Sequence, residues 1–516
     1  MEPMAGKDGG WAIAPGRRER TRKCGHCSAR LWHGLVLSAL FALLPLPAPA
    51  VEIGGVQPAA LDQPQIYALL EHPDGSLYTD GSGLGFAIQG FLDTGASGVL
   101  LSDTFDNGVF TLPGTADTFG VGRLPATGGG LVLFEDVGIG GSTSFNVSES
   151  LSVHLAPFHP GTDLGPLSSA GDPPPADYSQ SSGLIHAQIG PLNPGLALAN
   201  VDVFGMPVMT GKVTVMDPRP VNAFVSGGFP DTMRTWLYDP GTAFDASQAD
   251  SNPGIPATSH HVQLSYASFD RFTRVVPPGD TGPTLAHNPF IGPNPLSAID
   301  PGLPADPTPA VGVDFNGLQG SGSFLLDTGA AATMISSDLA ALLHVRYVPG
   351  TEGTATPQLE TFDPANPGAA GTLLAQQFTL DVGGIGGTTT AAGFYLDGLS
   401  LPTLEGDPLN FTGAPVLVTD ITLLDPVTSD QLTLDGILGM NLLVASVFLN
   451  PGPLPSFGAM NEGAFNWLVF DEPNGLLGLD LVTTVPLPES LPLLLMALVL
   501  VFGIARTGTG RPGSGT

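Results

Sequence analysis

Residues 85–102 read GFAIQGFLDTGASGVLLS, and residues 322–336 read GSFLLDTGAAATMIS. In each, an apolar run delivers Asp-Thr-Gly-Ala, at Asp93 and at Asp327. A serine, Ser102 or Ser336, stands nine residues after each aspartate. The serines are read two ways: as groups that hydrogen-bond near the turn, or as residues that simply end a strand. A bare Asp-Thr-Gly is a weak signal, and the chain supplies its own control. Asp280-Thr281-Gly282 follows Pro277, Pro278 and Gly279 instead of an apolar run, and reads as an ordinary turn.

Two further pairs of segments extend the likeness. Residues 201–209 (VDVFGMPVM) match residues 434–443 (LDGILGMNLL), and Gly205 and Gly439 each lie 112 residues past their aspartate. Residues 235–241 (TWLYDPG) match residues 466–475 (NWLVFDEPNG), each an apolar strand running into a turn. Agreement over such loop-rich stretches indicates a duplicated unit, with a period of 234 residues. One lobe is expected over 51–276 and the other over 310–482. Residues 277–309, rich in Pro, Gly and Asp, read as a linker. Residues 159–183, with three consecutive prolines at 173–175, read as a loop insertion in the first lobe.

Composition agrees with this organisation. The 516 residues include 70 Gly and 51 Pro, which punctuate short apolar runs, so an all-β body is expected. The formal charge is −31. The first 50 residues carry seven Lys/Arg against three Asp/Glu, and Arg506 and Arg511 lie near the other end. The remainder holds seven basic against 44 acidic residues. Such a body repels phosphate backbones, which argues against nucleic-acid binding. Its acidity suits solubility outside the cell, or adaptation to acid or salt. Ten histidines show no metal-ligand spacing. No Gly-x-Ser-x-Gly elbow and no phosphate loop is present. Neither metal nor cofactor is expected.

The ends read as addresses. A basic stretch, a run of about ten apolar residues and Ala48-Pro49-Ala50 have the order of a secretory signal over 1–50. The cysteines, Cys24 and Cys27, fall within it, so a mature chain would carry no disulfide. At the other end, Val485-Pro486-Leu487-Pro488-Glu489-Ser490 precedes an apolar stretch and Arg506. Residues 483–516 thus resemble a PEP-CTERM sorting signal with a transmembrane helix. That resemblance implies recognition by an exosortase-like enzyme and residence in the envelope, outer surface or matrix of a Gram-negative bacterium.

The paired Asp-Thr-Gly-Ala turns, with their apolar-apolar-Gly partners, resemble the aspartic peptidases of the pepsin/retropepsin type. The resemblance runs thinly across most of residues 60–480. It implies the bilobal pepsin-like acid protease fold, with the active site in the cleft between two homologous β lobes. It makes Asp93 and Asp327 the catalytic carboxylates. Thr94, Gly95, Thr328 and Gly329 would support the active-site turns, with Gly205 and Gly439 packed beneath them. Two carboxylates about 3 Å apart cannot both ionise cheaply and share one proton. Such a pair activates a water for attack on a peptide carbonyl without a covalent intermediate. A protein or peptide substrate and a monomeric enzyme are expected.

The pattern departs from pepsin in two respects. Ala96 and Ala330 replace the serine that follows Asp-Thr-Gly, and the only tyrosine between Asp93 and Gly205 is Tyr178, in the Pro/Ser-rich loop. Residues 133–141 (LFEDVGIGG) and 378–387 (FTLDVGGIGG) are counterparts that read either as flaps or as plain tight hairpins. A peptidase-fold surface protein without activity, or a β-sandwich adhesin, stands as the alternative.

Overall fold

The computed structural model describes residues 50–482 apart from 81–82, 86, 104–114, 139–140, 165–168, 191–200, 223–230, 301 and 449–462. The leader up to residue 49, including both cysteines, and the tail from residue 483 lie outside the described residues. No helix among the described residues is long and apolar enough to cross a membrane.

Each Asp-Thr-Gly turn is anchored in its own sheet. The first sheet runs Arg274–Val276, Leu133–Gly138, Gly141–Ala156, Gln65–Glu71, Ile88–Leu92, Val203–Phe204, Val99–Leu101 and Gln180–Ile189. The second has a central path of Ser265–Ala267, Asn288–Ile291, Phe324–Leu326, Gly436–Leu438, Met334–Ile335, Leu409–Val418, Gly387–Leu401, Val311–Phe315 and Leu318–Gly322. Gln377–Gly384 pairs with Gly387–Leu401 beside that path, and Val51–Gly54 pairs with Leu409–Val418.

The duplication is visible in the registers. Phe91 and Leu92 lie parallel to Val203 and Phe204, as Leu325 and Leu326 lie parallel to Ile437 and Leu438. Leu100 is antiparallel to Val203, and Met334 to Ile437. The paired residues are apolar because both faces are covered there, as the centre of a packed lobe requires, while Gln89, earlier in its strand, is exposed. Phe204, Leu326 and Leu438 are each no more than 1% exposed.

The Trp-containing segments do not belong to either lobe sheet. They form a third sheet, ordered Arg234–Tyr238, Val213–Asp217, Phe465–Asp471, Leu476–Leu481 and His260–Gln263. Val215 pairs with Val469 across the join, so the C-terminal strands of the two halves are stitched together by backbone hydrogen bonds. Trp236 and Trp467, both buried, pack with ring centroids 6.2 Å apart.

The stretch 277–309 is more than a linker. Asn288–Ile291 within it is a fully buried strand, pairing with Phe324–Leu326 and Ser265–Ala267 of the second sheet. Its turn-forming neighbours disguise a strand only four residues long, Asn-Pro-Phe-Ile. Tyr178, in the loop that precedes Gln180–Ile189, is buried against Leu69, Leu77 and Ala156 and does not line the cleft.

Candidate active site

Each apolar strand ends in a turn whose glycine faces the carboxyl of the other. A Cβ built on Gly95 would fall inside the contact distance of the Asp327 carboxyl, and one on Gly329 inside that of Asp93. The carboxyls therefore lie across the two-lobe axis on backbone that only glycine leaves open. Asp93 Oδ1 accepts from the Gly95 N–H at 2.7 Å, and Asp327 Oδ1 from the Ala330 N–H at 2.8 Å. The two side chains also hydrogen-bond to each other.

The threonines lock the pair from beneath. Thr94 Oγ1 donates to the Leu326 carbonyl at 2.6 Å and accepts from the Thr328 N–H at 3.0 Å. Thr328 Oγ1 donates to the Leu92 carbonyl at 2.7 Å and accepts from the Thr94 N–H at 3.0 Å. Both hydroxyls are buried and each satisfies two backbone groups of the opposite lobe. One layer lower, the Asp93 N–H donates to Phe204 and the Asp327 N–H to Leu438, both at 3.1 Å. Gly205 and Gly439 pack so closely on backbone near Ala96 and Ala332, respectively, that no Cβ would fit.

Ser102 and Ser336 each stand directly at the end of a strand, after Val99–Leu101 and Met334–Ile335, which is the second of their two readings. Both are buried, and both sit at helix starts. Ser336 Oγ accepts from the Leu339 N–H, capping Ser337–Leu342, and Ser102 Oγ accepts from the Thr115 N–H at the start of Thr115–Phe119. Asp280 is held in an ordinary turn by Thr127, whose backbone N–H donates to it at 2.9 Å.

Burial raises the pKa values of Asp93 and Asp327 above the usual carboxylate range. For Asp327 the charge of Asp93 and the hydrogen bond between them add to the rise. A pair that holds one proton between two oxygens is the expected consequence, and its titration belongs to both residues.

Above the carboxyls lies a cavity of about 460 Å³. Two hairpins roof it: Leu133–Gly138 with Gly141–Ala156, and Gln377–Gly384 with Gly387–Leu401. Their tips approach each other, since a Cβ on Gly138 would stand 3.1 Å from the Ile385 Cβ. Val137 packs on the apolar cluster of the second lobe and Ile385 on that of the first. The hairpins thus cross over to cover the cleft, with no tyrosine lining it among the described residues.

Four polar residues of the site had no signature in the sequence. Asn288, completely buried, donates to the Thr94 carbonyl at 2.9 Å and accepts from the Ser97 hydroxyl at 2.6 Å. Gln63 donates to the Gly329 carbonyl. Asp136 and Gln188 line the cavity beside the first hairpin. The Asp-Val-Gly run around Asp136 was visible, but the face on which Asp136 lies depends on register.

No protein-family model and no curated protein matches the chain. Solved structures do. An aspartic proteinase from Irpex lacteus matches at 13% identity and a TM-score of 0.33, over 84% of this chain and 99% of that one. Conglutin gamma, a basic 7S globulin from lupine seeds, matches at 9% identity and a TM-score of 0.33, over 81% and 95%. The all-β body, with its duplicated sheets, crossed turns and joining sheet, has the bilobal organisation expected of the pepsin-like acid protease fold.

Proposed function

We propose that the chain is an aspartic-type endopeptidase, with Asp93 and Asp327 as its catalytic pair. One observation carries the reading: two carboxyls from duplicated turns, hydrogen-bonded to each other, face a covered cavity large enough for side chains of a peptide. Burial makes double ionisation costly, so one carboxyl keeps its proton while the other is charged. The charged member takes a proton from a water held between them. The protonated member donates to the scissile carbonyl oxygen. Attack gives a neutral gem-diol, and collapse moves a proton to the leaving amine. The crossed threonines keep the carboxyls in register through this exchange, and the hairpins exclude bulk water.

The signal-like start and the PEP-CTERM-like end support export and surface sorting by an exosortase-like partner, with protein or peptide as substrate.

The test is hydrolysis of a fluorogenic peptide mixture between pH 3 and 7, with and without a statine-type inhibitor. Asp93→Asn and Asp327→Asn should each lower kcat/KM by at least about 10³-fold, a loss typical of removing an acid–base group that acts within a pair. Full activity in either variant, or a wild-type chain that folds and cleaves nothing, overturns the reading.

A further inference from the structure

The two walls of the cleft are built from equivalent positions, so their differences can be read residue against residue. The hairpin closing pairs are Gly138 with Gly141 and Gly384 with Gly387. Counting back from these, Asp136 is equivalent to Val382, and Glu135 to Asp381. The shared run Asp-Val-Gly is thus misleading. The second hairpin carries one more glycine before its turn, and a one-residue shift moves a side chain to the opposite face. Asp136 consequently faces the cavity. Asp381, though it borders the cavity, is exposed, turned outward and takes a hydrogen bond from Thr390 at 2.6 Å.

A second difference adjoins the first. Leu100 lies beside Gln188 in the first sheet, and Met334 lies beside Leu417 in the second, so Gln188 is equivalent to Leu417. The Gln188 amide stands 3.4 Å from Asp136 Oδ2, while among the described residues Asp136 Oδ1 accepts only its neighbouring Val137 N–H at 2.8 Å. An acid and an amide on the first wall replace a valine and a leucine on the second. No Lys, Arg or His pairs with Asp136 among the described residues. Arg274, the basic residue of the adjacent strand, is engaged with Glu135 on the outer face at 2.6 Å. The opposite wall is apolar: Leu325, Met334, Leu423, Leu434 and Ile437 line it.

We infer that the cleft is built for a peptide with a lysine or arginine on one side of the scissile bond, its cation held by Asp136 and Gln188, and a large apolar residue on the other. This deepens the peptidase reading and rests on it. A carboxylate with oxygen lone pairs free toward a cavity gains a charge-assisted hydrogen bond from an ammonium or guanidinium group, and the amide oxygen of Gln188 supplies a further acceptor. Burial raises Asp136 to about 6, so the preference should strengthen as pH rises through that value. The other ionisable groups on the cavity are Asp93, Asp327 and Asp381. A ratio between two substrates cancels the titration of the catalytic pair.

The experiment uses two peptides that differ only in lysine or norleucine beside the scissile bond, with leucine across it, and their uncleavable reduced-bond analogues. The wild-type kcat/KM ratio, lysine over norleucine, should reach on the order of tenfold at pH 6.5 and fall toward unity at pH 4. Asp136→Asn should bring the ratio to about one, the loss falling on the lysine peptide. Deleting Gly384 brings Asp381 to the inward register and should create the same preference for the residue on the other side. A wild-type ratio near one, or equal losses for both peptides in Asp136→Asn, overturns the inference while the peptidase reading stands. Should the chain cleave neither peptide, the peptidase reading fails. Tighter binding of the lysine analogue in calorimetry would then still uphold the cation site, and equal binding would end it.

Discussion

Thr94 and Thr328 make the same two bonds to the opposite lobe, 2.6 and 3.0 Å for one, 2.7 and 3.0 Å for the other. Directly above, the two hairpins have diverged. The first is flanked by Arg274–Val276, which pairs with Leu133–Gly138 and adds the Arg274–Glu135 ion pair. Gln377–Gly384 pairs only with its own partner strand among the described residues. Symmetry has been held where two lobes must place one proton between two carboxyls. It has been released in the walls above them, where Asp136 and Gln188 stand against Val382 and Leu417.

The symmetry beneath the carboxyls is the part most costly to break. Thr94→Ala and Thr328→Ala each leave two buried backbone groups of the other lobe without partners. Each should cost about 2–4 kcal/mol of unfolding free energy in denaturant titrations. If the lobes are equivalent there, the two values should agree to within about 1 kcal/mol, and the double variant should cost less than their sum, since the four bonds form one network. A large difference between the single variants would show that one lobe alone organises the turn pair.

Equivalence fails more plainly in the buried ionisable groups. Burial raises Asp202 to about 6, as it does Asp136. By register their counterparts are Gly436 and Val382. The fold therefore prefers both groups protonated, whereas the unfolded chain ionises them near 3.8. Their stabilising contribution is complete below about pH 4 and is lost as pH rises through 6. Asp93 and Asp327, also raised, act in the same direction. The expected result is a chain more stable at pH 4–5 than at pH 7.5. The double variant Asp136→Asn/Asp202→Asn should flatten that slope by about 1–3 kcal/mol in thermal unfolding. An unchanged slope would mean that water reaches both carboxyls freely.

How much of this was legible beforehand depends on scale. The spacing of 112 residues from each aspartate to Gly205 and Gly439 announced the duplication, because a close backbone contact beneath each turn admits only glycine. The Trp-Leu segments were recognisable as a pair, but a sequence does not state that their strands leave the lobes and join each other in a third sheet. Asn288 was hidden by the prolines and glycines around it, although it ties the first turn to a strand of the second lobe. Asp136 and Asp381 read as equivalents from their shared Asp-Val-Gly. They are not, because the closing pair of each hairpin, and with it the inward face, is set by the number of glycines at the turn. Local runs fixed the pair of carboxyls; long-range register decided which other polar groups join them.

The finest distinction between the hairpins concerns their motion. A two-stranded hairpin without a third strand opens more readily than one held on both edges. Amides of Gln377–Gly384 should exchange with solvent about tenfold faster than those of Leu133–Gly138, a difference of about 1.4 kcal/mol in opening free energy, as measured by native-state hydrogen exchange. Val137 and Ile385 lie on opposing clusters, so opening the cleft requires both hairpins to lift, and the second should lift first. Replacing Arg274 with Ala removes the ion pair at the edge of the first hairpin. Because that pair is largely exposed, the gain in exchange there should be at most a few-fold. Equal exchange in the two wild-type hairpins would mean that contacts across the cleft, not the pairing of strand edges, hold the roof closed.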